Sequence, residues 1–238
     1  MVLVPPGEFK RGFDDAASDL DERPLHTVAV TQPFYMARYE VTQDEWYKIM
    51  QGSKMPESKS IKAARPSFYG EKAGGDWRNR PVEQLSYELI NEYLLIANRD
   101  SSDSPPLRLP TEAEWEYACL GGRTRDAQPA LKDVAHFGYA SSPRAPFPRG
   151  AGDLKPNDYG LYHMLGNVAE MCSDWYDSTY YQQCAPRTDD PQGPASGSSR
   201  VVRGGDLTQL EASCRSWNRP STADRKVLVG FRPVRGVN

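Results

Sequence analysis

The strongest constraint in this sequence is the shortness of its periodic segments. Apolar and polar residues alternate over Val2 to Phe9, His26 to Val30 and Phe34 to Tyr39, which is the pattern of short β-strands. The 238 residues include 19 glycines and 20 prolines, a share well above the roughly 12% of average usage. Together these features predict a turn-rich domain of short elements.

Three short helices are predicted by capping signals. In each, a serine or threonine precedes apolar residues at helical spacing, and in two of them a glutamate follows three residues later as a capping box. The starts are Thr42 with Glu45, Ser86, and Thr111 with Glu114. Residues 123–158 and 185–199 have no sustained period and are predicted to be loops. Because no linker divides the chain, we predict one α+β domain over residues 1–238.

Charge and hydropathy exclude two classes of partner. The formal net charge is −3, so no basic excess favours nucleic acid. No apolar stretch approaches the roughly 18 residues of a membrane-spanning helix. The first residues lack the basic and apolar regions of a signal peptide. An exported protein whose signal peptide has been removed would begin in the same way.

The four cysteines leave two alternatives open. Cys119, Cys172, Cys184 and Cys214 form no C-x-x-C pair and no zinc spacing. A disulfide between Cys172 and Cys184 would close a short loop and add about 3 kcal/mol of stability. The alternative is two free thiols.

Eight motifs run in order along nearly the whole chain. They are Met1–Phe9, Tyr39–Gln43, Pro81–Ser86, Arg108–Ala118, Gly160–Tyr162, Gly166–Val168, Arg203–Gly205 and Gly230–Arg232. Together they resemble the formylglycine-generating-enzyme (sulfatase-modifying factor) family. The resemblance implies a single domain of C-type-lectin-like topology, low in regular secondary structure and often carrying structural calcium.

The resemblance does not extend to the family's founding reaction. That reaction oxidises a substrate cysteine to formylglycine and relies on two active-site cysteines five residues apart, whose thiolates suit copper(I). When the chain is aligned on its Gly204-Gly205 pair, the first position is Gln209 and the second is Cys214. A carboxamide cannot replace a thiolate, so we expect neither copper nor formylglycine generation. Three further departures are Asp206 for serine, Ala169 for tryptophan and Leu228 for asparagine.

The segment after Gly205 corresponds to the family's active-site groove and carries the candidate residues. Its polar groups and indole could hold a peptide or an aromatic heterocycle. The candidate catalytic residues are Asp206, Gln209, Glu211 and Cys214; the candidate substrate-binding residues are Arg215, Trp217, Asn218 and Arg219. The alternative is that Trp217 belongs to the core and the charges are solvated. Since no histidine is near it in sequence, Cys214 favours a structural role over a nucleophilic one.

The loop at residues 161–170 resembles a calcium site of the family. The carbonyl oxygens of Gly166 and Val168 and the carboxylate of Glu170 would be ligands. His163 stands where the family places an asparagine or aspartate, and an imidazole nitrogen is a poor calcium donor. Structural calcium and no calcium therefore stay open. Glu112, Glu114 and Glu116 favour a structural role, because alternate helical positions point in different directions and Glu114 is assigned to capping.

Two functions follow from the resemblance. The first is an enzyme with altered, oxidoreductase-like chemistry in the oxidative maturation of an exported, peptide-derived metabolite such as a pyoverdine-type siderophore. The second is a non-catalytic periplasmic regulator or binding module with a protein partner, for example one that supports a receptor kinase of type VI secretion. Acidic groups and an amide replace the thiol region, which favours the first. Both imply a periplasmic or otherwise exported location.

Overall fold

Short helices and strands make up the computed structural model, which describes residues 1–16, 18–51, 65–71, 76–99, 105–138, 154–222 and 228–237. The helices in these ranges are α1 (Gln43–Met50), α2 (Tyr87–Ala97), α3 (Glu112–Leu120), α4 (Leu131–Val134) and α5 (Tyr180–Cys184). The strands are β1 (Val2–Val4), β2 (Gly7–Arg11), β3 (His26–Val30), β4 (Phe34–Met36), β5 (Ala135–His136), β6 (Leu165–Gly166), β7 (Ala169–Trp175), β8 (Arg187–Asp189), β9 (Arg200–Arg203), β10 (Ser221–Thr222), β11 (Val229–Gly230) and β12 (Val234–Gly236). The α+β prediction is confirmed.

The described strands form small sheets rather than one large one. The first and last strands, β1 and β12, both pair antiparallel with β4. A second sheet has the order β10–β9–β7–β11, in which β11 runs parallel to β7. The third has the order β2–β3–β8, and the fourth pairs β5 with β6. The candidate site is formed by the segment that precedes β7 and the segment that follows β9.

Helix starts follow the predicted capping chemistry. The Thr42 side chain accepts a hydrogen bond from the Glu45 backbone N–H while the Glu45 carboxylate accepts one from the Thr42 N–H. Thr111 and Glu114 form the same reciprocal pair at α3. That helix ends at Gly121, whose φ of 63° is left-handed and suits glycine.

The predicted strand at residues 2–9 is interrupted. β1 ends at Val4 and β2 begins at Gly7, because Pro5 and Pro6 between them have no backbone N–H to donate to a ladder. The predicted loops also contain short elements: 123–158 includes α4 and β5, and 185–199 includes β8. Part of the first loop, residues 139–153, lies outside the described residues.

The two largest apolar clusters of the core lie on either side of β7. In one, the rings of Trp46 and Tyr93 stack with centroids 5.1 Å apart, and Phe231 meets them edge-on. The other surrounds Trp115 and includes Cys172. All four cysteines are buried and free, so the structure contains the thiol alternative and not the Cys172–Cys184 disulfide. In the described ranges, no helix has both the length and the hydropathy that a bilayer crossing requires.

Candidate functional site

A double-glycine turn places the candidate catalytic segment against the predicted calcium loop. Gly204 and Gly205 have φ values of 89° and 71°. A Cβ on Gly205 would lie 2.8 Å from the Ser213 carbonyl oxygen, so this tight turn requires glycine. The Gly166 N–H donates to the Gly204 carbonyl at 2.8 Å, and the Leu207 N–H donates to the Asn167 carbonyl at 3.1 Å. The predicted calcium loop and the candidate catalytic segment are therefore hydrogen-bonded to each other.

Cys214 lies inside this structure and not on a surface. Its side chain is 1% exposed, and its Sγ lies 3.8 Å from the Asp206 carbonyl oxygen, to which it donates. Burial raises the pKa of the thiol to about 12. Near neutral pH the sulfur therefore keeps its proton, whereas nucleophilic attack requires the thiolate. The catalytic role of Cys214 therefore stays a prediction, and its burial favours the structural alternative.

The three polar candidates lie in one turn but are used differently. Asp206 Oδ1 accepts hydrogen bonds from the backbone N–H and the hydroxyl of Thr208, at 2.8 and 2.5 Å. Gln209 Oε1 is buried without a hydrogen-bond partner among the described residues. Glu211 is exposed and begins a 3₁₀ turn that ends at Ser213. The structure thus brings these side chains together, with Asp206 already engaged in shaping the turn.

Apolar side chains fill the surroundings of this turn. Val168, Leu207 and Leu228 form a buried cluster, against which Tyr69 packs. The Ala169 N–H donates to the Leu228 carbonyl at 2.9 Å, so two positions at which the sequence departs from the family are neighbours in space. Both departures replace a polar or aromatic group with an aliphatic one.

Three of the candidate substrate-binding residues contact the chain's own N-terminal segment. The Trp217 ring stacks on Phe13 with centroids 4.6 Å apart. Arg215 Nη2 and Asn218 Nδ2 both donate to Glu22 Oε1, at 3.3 and 3.4 Å. All three side chains are half-buried. They hold Phe13 and Glu22 against the segment that follows Gly205.

Arg219 is the most deeply buried of the predicted binding residues. It is 1% exposed, and its Nε and Nη2 donate to the two carboxylate oxygens of Glu112 at 2.8 and 3.0 Å. A guanidinium held in this way is part of the interior and cannot meet a substrate at the surface. Local sequence patterns do not pair residues 107 positions apart.

Arg219 belongs to a buried ionic network centred on α3. Glu112 and Glu116 are four residues apart and share one face of the helix, which corrects the expectation that these acids point in different directions. Glu114 caps the helix as predicted. Burial alone would raise the pKa of Glu112, but its guanidinium partners hold it well below its usual range. Those partners are Arg11 at 2.7 Å, Arg203 at 3.0 Å and Arg219; Glu116 pairs with Arg203 at 2.6 Å and Arg125 at 2.9 Å.

The predicted calcium loop is held by an ion pair. Arg232 Nε and Nη2 donate to the two oxygens of Glu170 at 2.7 and 2.6 Å, and Trp115 Nε1 adds a third hydrogen bond at 2.8 Å. His163 Nδ1 lies 3.7 Å from Glu40 Oε2. With three of the roughly four acceptor positions of the Glu170 carboxylate occupied and a nitrogen donor at residue 163, these residues do not fit a calcium ion. No group of three or more metal-ligating side chains occurs in the ranges that the structure covers.

The charged residues around the predicted calcium loop include two that are not among the predicted site residues. Glu40 and Arg232 were noted only as parts of family motifs. The Glu40 carboxylate accepts a hydrogen bond from Asn167 Nδ2 at 2.8 Å. Their signal in the sequence is a charged residue directly beside an apolar one, Val41 in the first case and Phe231 in the second.

Comparison with known proteins now identifies the family. Residues 1–237 match the sulfatase-modifying factor enzyme 1-like domain. This chain belongs to that family. The resemblance noted in the sequence and the fold expected from it are both confirmed, since the solved structure of PvdO from Pseudomonas aeruginosa superposes with a TM-score of 0.79 at 24% identity, covering 99% of this chain and 93% of that one.

Two curated relatives within the family differ in what they are named for. Formylglycine-generating enzyme of Bos taurus is 30% identical over 289 residues, which is 98% of this chain and 73% of that protein. Serine/threonine-protein kinase pkn1 of Chlamydia pneumoniae is 30% identical over 252 residues, which is 100% of this chain. The chain spans 38% of the length of that kinase. This sulfatase-modifying factor domain is therefore similar both to an enzyme and to a segment of a larger protein.

Proposed function

We propose that this chain is a non-catalytic recognition module of the sulfatase-modifying factor family, which binds a protein or peptide partner. The observation that carries the proposal is the state of Cys214. The family position for an active-site thiolate holds a thiol that is 1% exposed and whose pKa burial raises to about 12. The other position is Gln209, which has no thiol.

The packing around Cys214 supports the same function. Leu207 and Leu228 are buried beside Val168, and apolar side chains of this kind strengthen a scaffold without providing a group that transfers protons or electrons. The similarity to pkn1 supports a role in protein recognition, because a protein named as a kinase contains a segment like this whole chain. We propose an exported location, where such a module would serve a kinase-type receptor.

An aldehyde assay tests the absence of the founding chemistry. The purified chain is incubated in air with copper(I) and a cysteine-containing peptide, and aldehyde is detected with a hydrazide probe; the Bos taurus formylglycine-generating enzyme is the positive control. We expect no aldehyde from the wild type or from Cys214→Ser. Aldehyde formed by the wild type and lost in Cys214→Ser would overturn the proposal.

A second candidate function is the oxidative maturation of a peptide-derived metabolite, such as a pyoverdine-type siderophore. It is favoured by the Oε1 of Gln209, which is buried and has no hydrogen-bond partner in the part of the chain that the structure describes, by the exposed Glu211 two residues further on, and by the similarity to a formylglycine-generating enzyme. The reduced precursor is mixed with the protein in air and the chromophore absorbance is followed. Turnover that Glu211→Gln abolishes, and that the exposed control Glu88→Gln retains, would establish this function in place of the first.

A further inference from the structure

A second concave surface lies between β2 and the C-terminal end of α3. We call it the β2 groove; its volume is about 920 Å³, and it is lined mainly by residues 7–10, 13–15 and 122–126. None of residues 206–219 lines it, although Trp217 packs against Phe13. The groove is therefore a separate surface, and what it binds is independent of the function proposed for the family site.

Aromatic rings make up most of the apolar part of the β2 groove. Phe9 and Tyr117 lie with ring centroids 5.4 Å apart, and the hydroxyl of Tyr159 donates to that of Tyr117 at 3.3 Å. A Cβ on Gly7 would come within 2.4 Å of Tyr117 Oη, so glycine allows the ring to reach the strand backbone. Aromatic faces of this kind attract both apolar side chains and cations.

The β2 groove has a net negative charge once the side chains that form ion pairs are left out. Three of its ionic side chains are satisfied by partners outside the lining, in the pairs Glu8–Arg187 at 2.7 Å, Arg123–Asp158 at 2.6 Å and Arg125–Glu116 at 2.9 Å. Asp14 and Asp126 are exposed and make no hydrogen bond or ion pair through their carboxylates with any residue that the structure describes. The remaining cation, Lys10, donates to the Thr27 hydroxyl at 2.8 Å.

The shape of the groove favours an extended ligand. β2 is the end strand of its sheet, and its five residues span about 17 Å at the rise of an extended chain. Rings along the strand can take apolar side chains, while Asp14 and Asp126 lie at exposed positions that can meet cationic ones. We propose that the β2 groove binds an extended peptide segment of a partner protein that carries lysine or arginine between apolar residues.

Fluorescence anisotropy tests this assignment with two defined probes. One is a fluorescein-labelled nonapeptide that alternates lysine and leucine, and the other alternates glutamate and leucine. We expect the lysine peptide to bind and the glutamate peptide not to bind. The double variant Asp14→Asn/Asp126→Asn should weaken lysine-peptide binding by about fivefold or more, since two exposed charge contacts are lost. The exposed control Glu88→Gln lies outside the groove and should leave binding unchanged.

Two substitutions of opposite charge at one groove residue distinguish binding in the groove from nonspecific electrostatic attraction of the peptide. Leu25 lines the groove and is 38% exposed, so both Leu25→Lys and Leu25→Glu should fold, which their thermal unfolding midpoints will check. We expect Leu25→Lys to weaken binding of the lysine peptide and Leu25→Glu to preserve or strengthen it. Equal binding of the two peptides, or affinities that all these substitutions leave unchanged, would overturn the proposal.

Discussion

Arg232 binds both carboxylate oxygens of Glu170, at 2.7 and 2.6 Å, in the interior of the molecule. The same loop resembles a calcium site of the family, so the carboxylate that would face the metal ion is bound by a guanidinium instead. Paired in this way, the buried carboxylate is neutralised by the protein itself.

This ion pair predicts a fold that does not depend on calcium. A site filled at a hundredfold excess of calcium over its dissociation constant would add about 2.7 kcal/mol of stability. We expect the thermal unfolding midpoint to be the same with calcium and with EDTA, and magnesium serves as the control ion. A midpoint that rises by several degrees with calcium alone would show that the loop binds this ion after all.

Removal of the Glu112 charge should destabilise the protein strongly. Glu112 compensates Arg11, Arg203 and Arg219, which are all buried. Glu112→Gln leaves Arg11 and Arg219 without their carboxylate and Arg203 with Glu116 alone, and breaking a buried pair costs about 3–5 kcal/mol. The free energy of unfolding in urea measures the loss, with the exposed Glu88→Gln as control. A loss equal to that of the control would mean that the network contributes no stability.

Asp174 should make stability fall as pH rises. Its carboxylate is 1% exposed, and burial together with the charge of Glu112 raises its pKa from 3.8 to about 6. Because the folded state prefers the protonated form, this stabilisation is present below about pH 4 and is lost as pH passes 6. At about 1.4 kcal/mol per pKa unit, the penalty at neutral pH is about 3 kcal/mol.

Asp174→Asn isolates this effect. The amide oxygen can still accept the hydrogen bond that Asp174 Oδ2 receives from the Glu112 N–H, but it does not ionise. Urea unfolding of both proteins between pH 5 and pH 8 should show the difference in stability shifting in favour of the variant as pH rises. A pH-independent difference would contradict the raised pKa.

The Cys214 thiol should be unreactive in the folded protein. Its burial and its pKa of about 12 leave almost no thiolate at about pH 8, at which an ordinary cysteine is already partly ionised. Mass spectrometry after treatment with iodoacetamide should find Cys214 unmodified in buffer and alkylated in concentrated urea. Rapid alkylation in buffer would reveal an accessible, activated thiol.

The sequence predicted the elements whose causes are local. Thr42 and Thr111 predict the starts of their helices because a capping box is complete within four residues. The interruption of the predicted strand at Pro5-Pro6 also has a local cause, since proline cannot donate to a ladder. The family motifs then indicated the fold along the whole chain.

The interior of the site depends on contacts that local patterns do not encode. Glu112 meets Arg11 and Arg219 across about a hundred residues in each direction, and Arg11 has no neighbouring signal in the sequence. The polar side chains after Gly205 suggested an open groove, but Arg219 and Cys214 turned inward because a carboxylate and a closed turn receive them. Burial decides these roles, and burial is set by the whole fold.

Copper(I) titration distinguishes a recognition module from a metal-dependent enzyme, because tight binding of this ion requires thiolate ligands. The purified, reduced protein and Cys214→Ser compete for copper(I) against a chromophoric chelator. We predict that neither protein removes copper from the chelator, since the family site pairs one buried thiol with a carboxamide, Gln209, in place of a second thiolate. Stoichiometric binding by the wild type that Cys214→Ser abolishes would contradict the account and restore a metal-dependent enzyme.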